Sequence, residues 1–478
     1  MNIDEEYFKS EEFLDLLENY ETSIKSGGNP FMDADDLVDI ADYYNWQGEG
    51  EKAEQTINYA LELYPSSTLP NVFKARKALY MGNFEGAHFY ANEIGDKDDP
   101  DYHYLLAEIM IAEGDIEQAD RYLRQYAKTV DADEYEDFVR DCANLYIDYD
   151  VNEKAYEWML RSRGDNSDDF KELMARTLFG LGKYKDSERI FNELIDHHPF
   201  SKDYWSALAS AQFMNEDYSN AIASSEYAIA IDPNDPDAIN QKACGLIRLG
   251  NYEEALKYFN KFSEMAPDDE FGYMSQGICM VNMMRHDEAL PLLEKALKLA
   301  PDDSIYLYQI YQELALCYSA KHDVDKAMEV LDKTVNLECD HLDMMVMRGH
   351  ILLQNNRVKE AEAVFKEAIM LSEDSPATLL RIIVSLYDNH YVNACYQMLH
   401  KFLKMIQSYF PDFHNGYAYM ALCCYDMNRP QEFMKYLRLA VEKNPNEARM
   451  VLGCLFPEGT HVSEYVPYME KRNNGITE

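Results

Sequence analysis

Residues 236–267 read PDAINQKACGLIRLGNYEEALKYFNKFSEMAP, and this stretch decides the fold. It holds Ala243 in a first helical run, a Gly250-Asn251-Tyr252 turn, Ala255 and Phe259 in a second run, and a stop at Ala266-Pro267. A shift of 34 residues returns the same pattern. Gly277 then stands for Ala243, Ala289 for Ala255 and Leu293 for Phe259, and Ala300-Pro301 closes the unit. One step backwards gives Trp205, Leu208, Ala209, Tyr218, Ala221, Ala228 and Pro233. A second gives Ala175, Gly182, Tyr184, Ser187, Phe191 and Pro199. A fixed period of this size marks a repeat architecture, in which each unit is one supersecondary element.

Each recurring residue has a physical task. Ala209, Ala243 and Gly277 are small, so the first helix of a unit lies close against the second; Ala221, Ala255 and Ala289 do the same from the facing helix. Ala228 and Ala296 let the second helix approach the next unit. Gly182 and Gly250 supply the positive φ of a short turn, and Pro233, Pro267 and Pro301 end helices. The small residue of the second helix recurs at Ala53, Ala87, Ala119, Ala155, Ser187, Ala221, Ala255, Ala289, Ala327 and Ala361, with weaker units centred on Cys395 and Phe433. The sequence therefore predicts an all-α chain with about twelve helix pairs over residues 34–447. No pair can bury its apolar face alone, so neighbours must stack.

Residues 1–33 are expected to form an N-terminal capping helix, with Tyr7, Phe8, Phe13, Leu14, Leu16, Leu17 and Tyr20 on its apolar side and a stop at Gly27-Gly28-Asn29-Pro30. Residues 448–478 are expected to give a capping helix from Ala448, a Pro457-Glu458-Gly459 turn and a polar tail. Four extra residues before unit 308–341 are expected to lengthen its first helix through Ile305-Tyr306-Leu307-Tyr308. Unit 376–413 carries Ile383 where a small residue belongs, and a long second helix over 391–409.

The order aromatic, Leu-Gly/Ala pair, turn Gly, small residue, aromatic and terminal Pro resembles the tetratricopeptide repeat, and Trp205-Ser206-Ala207-Leu208-Ala209 is the nearest single match. The resemblance implies a right-handed α-solenoid superhelix of stacked helix-turn-helix units. It also implies a concave groove, lined by first helices, that holds peptides or helices of partner proteins. Transferring the register places Trp46, Arg76, Tyr104, Glu108, Arg140, Asn144, Arg176, Phe179, Phe213, Asn240 and Arg248 in that groove. Some members of the family clamp a chaperone's C-terminal carboxylate with Lys and Asn from successive repeats. Here Arg140, Asn144 and Arg176 approach that set, but Leu173 stands where Asn is required, so the clamp is read as absent.

Charge narrows the partners. The chain has 87 Asp+Glu against 44 Lys+Arg, a net of -43, and residues 1–150 hold 36 acidic and 11 basic side chains. Such a field repels polyphosphates and anionic lipid surfaces, which argues against nucleic acid and membrane. It fits a basic protein or peptide, or solubility alone. Asp35, Asp101, Asp137, Asp169, Asp203, Asp237 and Asp343 recur near the starts of first helices. They read as an acidic ladder for a basic peptide or as first-turn carboxylates that stabilise helix N-termini. RNA binding would require basic groove residues in repeat after repeat, and these are missing.

Chemistry is hard to find. Gly180-Leu181-Gly182-Lys183 lacks the rest of a phosphate loop and the strand that would precede it. Asp196-His197-His198 offers metal-ligand types, but adjacent helical side chains point about 100° apart. Cys423-Cys424 has the same geometry. The nine cysteines include no C-x-x-C and read as reduced thiols. The start Met1-Asn2-Ile3-Asp4-Glu5-Glu6 shows no leader, and no run of 18 apolar residues occurs. The expectation is a cytoplasmic, non-catalytic protein-interaction scaffold with no metal and no cofactor. The alternative is a regulatory or adaptor subunit of a separately encoded enzyme complex.

Overall fold

The computed structural model describes residues 7–28, 30–337, 340–373, 375–457 and 460–473, so the start at Met1–Glu6 lies outside the described residues. Among them are 27 α-helices and no strand. The helices pack as two compact units divided between Pro233 and Asn234.

The first unit holds six antiparallel pairs, from Ala34–Trp46 with Gly50–Leu63 to Lys202–Met214 with Tyr218–Ile231. The second holds six more, from Pro236–Arg248 with Tyr252–Met265 to Tyr417–Asp426 with Pro430–Lys443. Within each unit successive pairs stack to make an α-solenoid, the arrangement expected from the repeat.

One backbone feature fixes the register. The turn inside every pair contains a residue of positive φ: Gly48, Gly82, Gly114, Asp150, Gly182, Glu216, Gly250, Met284, His322, Asn356, His390 and Asn428. The position five residues beyond each is the small or packing residue read from the sequence, from Ala53 through Ser187 and Cys395 to Phe433. Those residues are buried, so first and second helices close tightly around them. First helices are commonly capped by Asp or Ser: Asp33, Asp99, Ser167, Ser201 and Asp235 each accept a backbone N–H of the first turn, worth about 1 kcal/mol apiece.

At the N-terminus Phe8, Phe13 and Tyr20 are buried in one cluster with Leu37, Ile40 and Ile57 of the first pair, while Leu14 is exposed. Tyr20 Oη lies 2.9 Å from Thr56 Oγ1. The long second helix near the C-terminus is present as Val392–Tyr409, and Ile383 is buried beneath it.

Two expectations fail. The first helix after the four-residue insertion is Leu307–Ala320, so the insertion sits largely in the connection before it and leaves Ile305 83% exposed. Tyr306 holds its N-cap position, and Ser304 Oγ accepts the Tyr306 N–H at 3.2 Å, a turn that competes with helix. The expected polar tail instead contains a helix, Tyr465–Asn473. Tyr465 and Met469, four apart on one face, are buried with Phe456, whose ring stacks on Tyr465 at 3.8 Å. Helix Pro445–Leu452 begins three residues before Ala448. The Glu458-Gly459 part of the expected turn and residues 474–478 lie outside the described residues.

Candidate partner-binding troughs

In the first unit the exposed faces of the first helices form a trough. One cavity of about 590 Å³ is lined from Val38, Asp42 and Asn45 across Val72, Phe73, Arg76 and Tyr80 to Glu108, Leu145 and Asp148. A second, of about 410 Å³, shares Arg76, Leu145 and Asp148 and adds Asp101, Tyr104, Asp141, Asn144 and Arg176. A third, of about 200 Å³, brings in Arg140, Asp169, Glu172 and Leu173. Six residues singled out by register are thus brought together: Arg76, Tyr104, Glu108, Arg140, Asn144 and Arg176.

Most of these are already engaged. Arg76 Nε donates to Glu108 Oε2 at 2.8 Å, and Tyr149 Oη donates to the other Glu108 oxygen at 3.4 Å. Tyr104 Oη donates to Asp141 Oδ2 at 3.0 Å. Arg140 is held by Asp165 at 2.7 Å, by the Ser167 hydroxyl at 3.2 Å and by Asp137. Arg176 is exposed and, among the described residues, has no ion-pair partner. It is the cation in the trough that remains available.

The other register-derived residues stand elsewhere. Trp46 packs against Phe8 and Tyr43, with ring centroids 5.9 and 6.0 Å away. Phe179 and Phe213 meet the first tyrosines of the following helices edge-on, Tyr184 at 5.4 Å and Tyr218 at 5.3 Å. In the second unit Asn240 accepts the Cys244 thiol at 3.3 Å, and Arg248 closes helix Pro236–Arg248; neither lines the cavities described here.

The trough's carboxylates are under electrostatic pressure. Burial, and then the nearby Asp39, push Asp42 up to about 6, against the pull of Arg76. Burial and then Asp99 raise Asp101. Asp141 is open to water yet recessed between helices, and loss of solvent raises it despite the hydrogen bond from Tyr104. All seven recurring aspartates do sit in first turns. A helix N-terminus lowers a carboxyl pKa, yet burial raises Asp35, with Asp33 and Asp39 adding to the effect. Asp35 and Asp101 therefore gain less from the helix end than they lose to crowding.

The residues taken from register include neither Asp42, Asp148 and Phe73 nor, beyond Asn240 and Arg248, the residues of a trough in the second unit. That trough, of about 750 Å³, is lined by Leu316, Val346, Met347, Leu380, Val384 and Tyr419 and is bounded by Met450 and Val451 of helix Pro445–Leu452. Its Arg381 is held by Asp343, and its Glu447 accepts the Gly416 N–H at 2.7 Å and the Ala418 N–H at 3.3 Å. Half-buried His350 is lowered by desolvation. The signal was available: Leu316, His350 and Val384 each follow Ala315, Gly349 and Ile383 by one residue, as Arg76 follows Ala75, and Val346 and Leu380 precede Gly349 and Ile383 by three, as Tyr104 precedes Ala107.

The patterns weighed for chemistry have structural partners. Gly182 is a turn residue, φ +71°, and Lys183 lies 4.6 Å from the Tyr156 ring centre. His197 and His198 both reach Asp168, at 3.4 and 2.7 Å, because His198 has left helical geometry at φ -125°, ψ 67°. The sequence reading, based on two helical side chains, did not anticipate that convergence. Cys423 and Cys424 are both buried, with Cys423 Sγ 3.5 Å from Cys395 Sγ. Among the described residues no three His, Cys, Asp or Glu side chains converge to hold a metal. No helix among them is long and apolar enough to cross a membrane.

Family models described as tetratricopeptide repeat match residues 208–271, and residues 173–236 and 240–304. A model of the second ARM domain of tetratricopeptide repeat protein 21 matches residues 288–451. No curated protein matches the chain. Similar solved structures include yeast Tom70, 16% identical, covering 92% of this chain and 99% of that one, TM-score 0.42. A tetratricopeptide repeat protein from Parabacteroides merdae is 16% identical over 52% of this chain and 98% of that one, TM-score 0.43. The Cut9–Hcn1 hetero-tetramer of APC/C is 16% identical over 93% of each chain, TM-score 0.36. With the repeat legible in its own residues and matched by these models together from residue 173 to residue 451, the chain belongs to the tetratricopeptide repeat family.

Proposed function

We propose that this chain is a non-catalytic scaffold for protein–protein interaction, and that a peptide or helical segment of the partner lies along the troughs formed by the first helices. Repeats of this family serve in general as protein-interaction scaffolds. The observation that supports the finer reading is Arg176: an exposed guanidinium beside a cavity, with no ion-pair partner among the described residues, while neighbouring Arg76 and Arg140 are engaged. Arginine is a residue type enriched at interface hot spots.

The test is affinity capture from the source cells with the unaltered chain and with Arg176→Glu. Because Arg176 holds no internal ion pair, the substitution leaves folding intact, which circular dichroism checks. A discrete partner retained by the unaltered chain and lost from the variant is the expected result. Equal retention by both would place the partner on another face.

A further inference from the structure

We infer that the larger cavity of the first unit's trough, which Arg176 does not line, receives a stretch of the partner segment carrying lysine or arginine side chains beside apolar ones; this deepens the trough reading and rests on it. The floor of the larger cavity is apolar, with Val72, Phe73 and Leu145, and its rim is Tyr80, which is 93% exposed. Four carboxylates surround this floor, and two are already neutralised. Glu54 accepts from Lys74 and, at 2.5 Å, from Lys77; Glu108 is held by Arg76 at 2.8 Å. Asp42 and Asp148 have no ion-pair partner among the described residues.

Once the internal pairs are counted, an apolar surface remains flanked by two carboxylates that belong to no ion pair among the described residues, Asp42 feeling Arg76 only at longer range. An anionic segment finds no available cation in this cavity, since Arg76 and Lys77 are both paired. A purely apolar segment would bury Asp42 and Asp148 further without compensation, which is costly. A segment with basic side chains flanking apolar ones satisfies both surfaces. The field of the whole unit works in the same direction. Residues 1–233 hold 51 acidic and 20 basic side chains, against 36 and 24 in residues 234–478. Such a field speeds the approach of a cation.

The experiment uses the full chain and fluorescein-labelled peptides at low salt, read by fluorescence anisotropy. The probe peptide intersperses lysine, leucine and serine. One counterpart has glutamate for lysine, and another has serine for leucine. The expected result is saturable single-site binding of the lysine–leucine peptide and at least about tenfold weaker binding of each counterpart.

Asp42→Asn with Asp148→Asn is expected to weaken the probe about tenfold, and Tyr80→Ala several-fold. Asp302→Asn with Asp303→Asn removes the same charge from an exposed turn of the second unit and should leave affinity unchanged. If that control weakens binding as much as the trough pair does, net charge alone is responsible and the inference is overturned. Failure of the probe to bind, or binding indifferent to Asp42 and Asp148, also overturns it. If the glutamate peptide binds instead and Arg176→Glu abolishes its binding, the trough reading survives and the basic chemistry is wrong.

Discussion

At Met284 the backbone turns with φ +58°, a region where an L side chain's Cβ crowds the following carbonyl at a cost of about 1–2 kcal/mol. The side chain is 78% exposed and contributes little packing in return. Met284→Gly removes the crowding and adds glycine's own entropic cost, so a net gain of about 0.5–1 kcal/mol is expected in urea unfolding of the second unit. A loss of stability would mean that the turn is not the strained element described. Asp42 gives a pH-dependent test at the same scale. Its folded-state pKa, about 6, lies above its unfolded value of 3.8, so the folded chain binds the extra proton between those pH values. Stability must fall as pH rises through that window, and the penalty is complete above it. Asp42→Asn should therefore stabilise the fold by about 1–2 kcal/mol at pH 7 and make no difference below pH 4. A benefit that persists in acid would contradict the assignment.

Between elements, the tight approach of first and second helices is set by residues such as Gly349, where an added Cβ would overlap the Phe365 ring of the facing helix. Glycine to alanine in a helix usually gains about 1 kcal/mol. Here Gly349→Ala is expected to lose about 1–3 kcal/mol in denaturant unfolding through overpacking, and a gain would refute the close approach. This packing was readable from sequence, since small residues at fixed offsets leave few alternatives. The turn register was readable too, although Asp150, Glu216 and His322 hide their positive φ behind ordinary side chains. The site was less legible, for a physical reason. Register says which positions face the trough but not which charges are internally satisfied. Arg140 faces the trough and is tied to Asp165, 25 residues on; Trp46 is taken up by Phe8. Such pairings join residues distant in sequence, and helix Tyr465–Asn473 depends in the same way on contact with Phe456 and the neighbouring cluster.

Across the whole molecule, charge distinguishes the two units more than fold does. The first carries a net of -31 and the second -12. Like charges destabilise a compact state, and salt screens them. Raising NaCl from about 20 mM to about 500 mM should therefore increase hydrogen-exchange protection more in residues 7–233 than in 234–473. An equal response in both units would remove self-repulsion from the account. The family's repeated helix pair leaves the faces of the first helices as the natural place for a partner, and that is the central claim. It is tested most directly by placing a photo-crosslinking amino acid at Arg176, in the trough, and in a parallel protein at Arg189, exposed on the second helix of the same pair, then irradiating each in lysate of the source cells. The account predicts a discrete crosslinked partner from position 176 and none from position 189. Crosslinking from 189 alone, or equally from both, would contradict it.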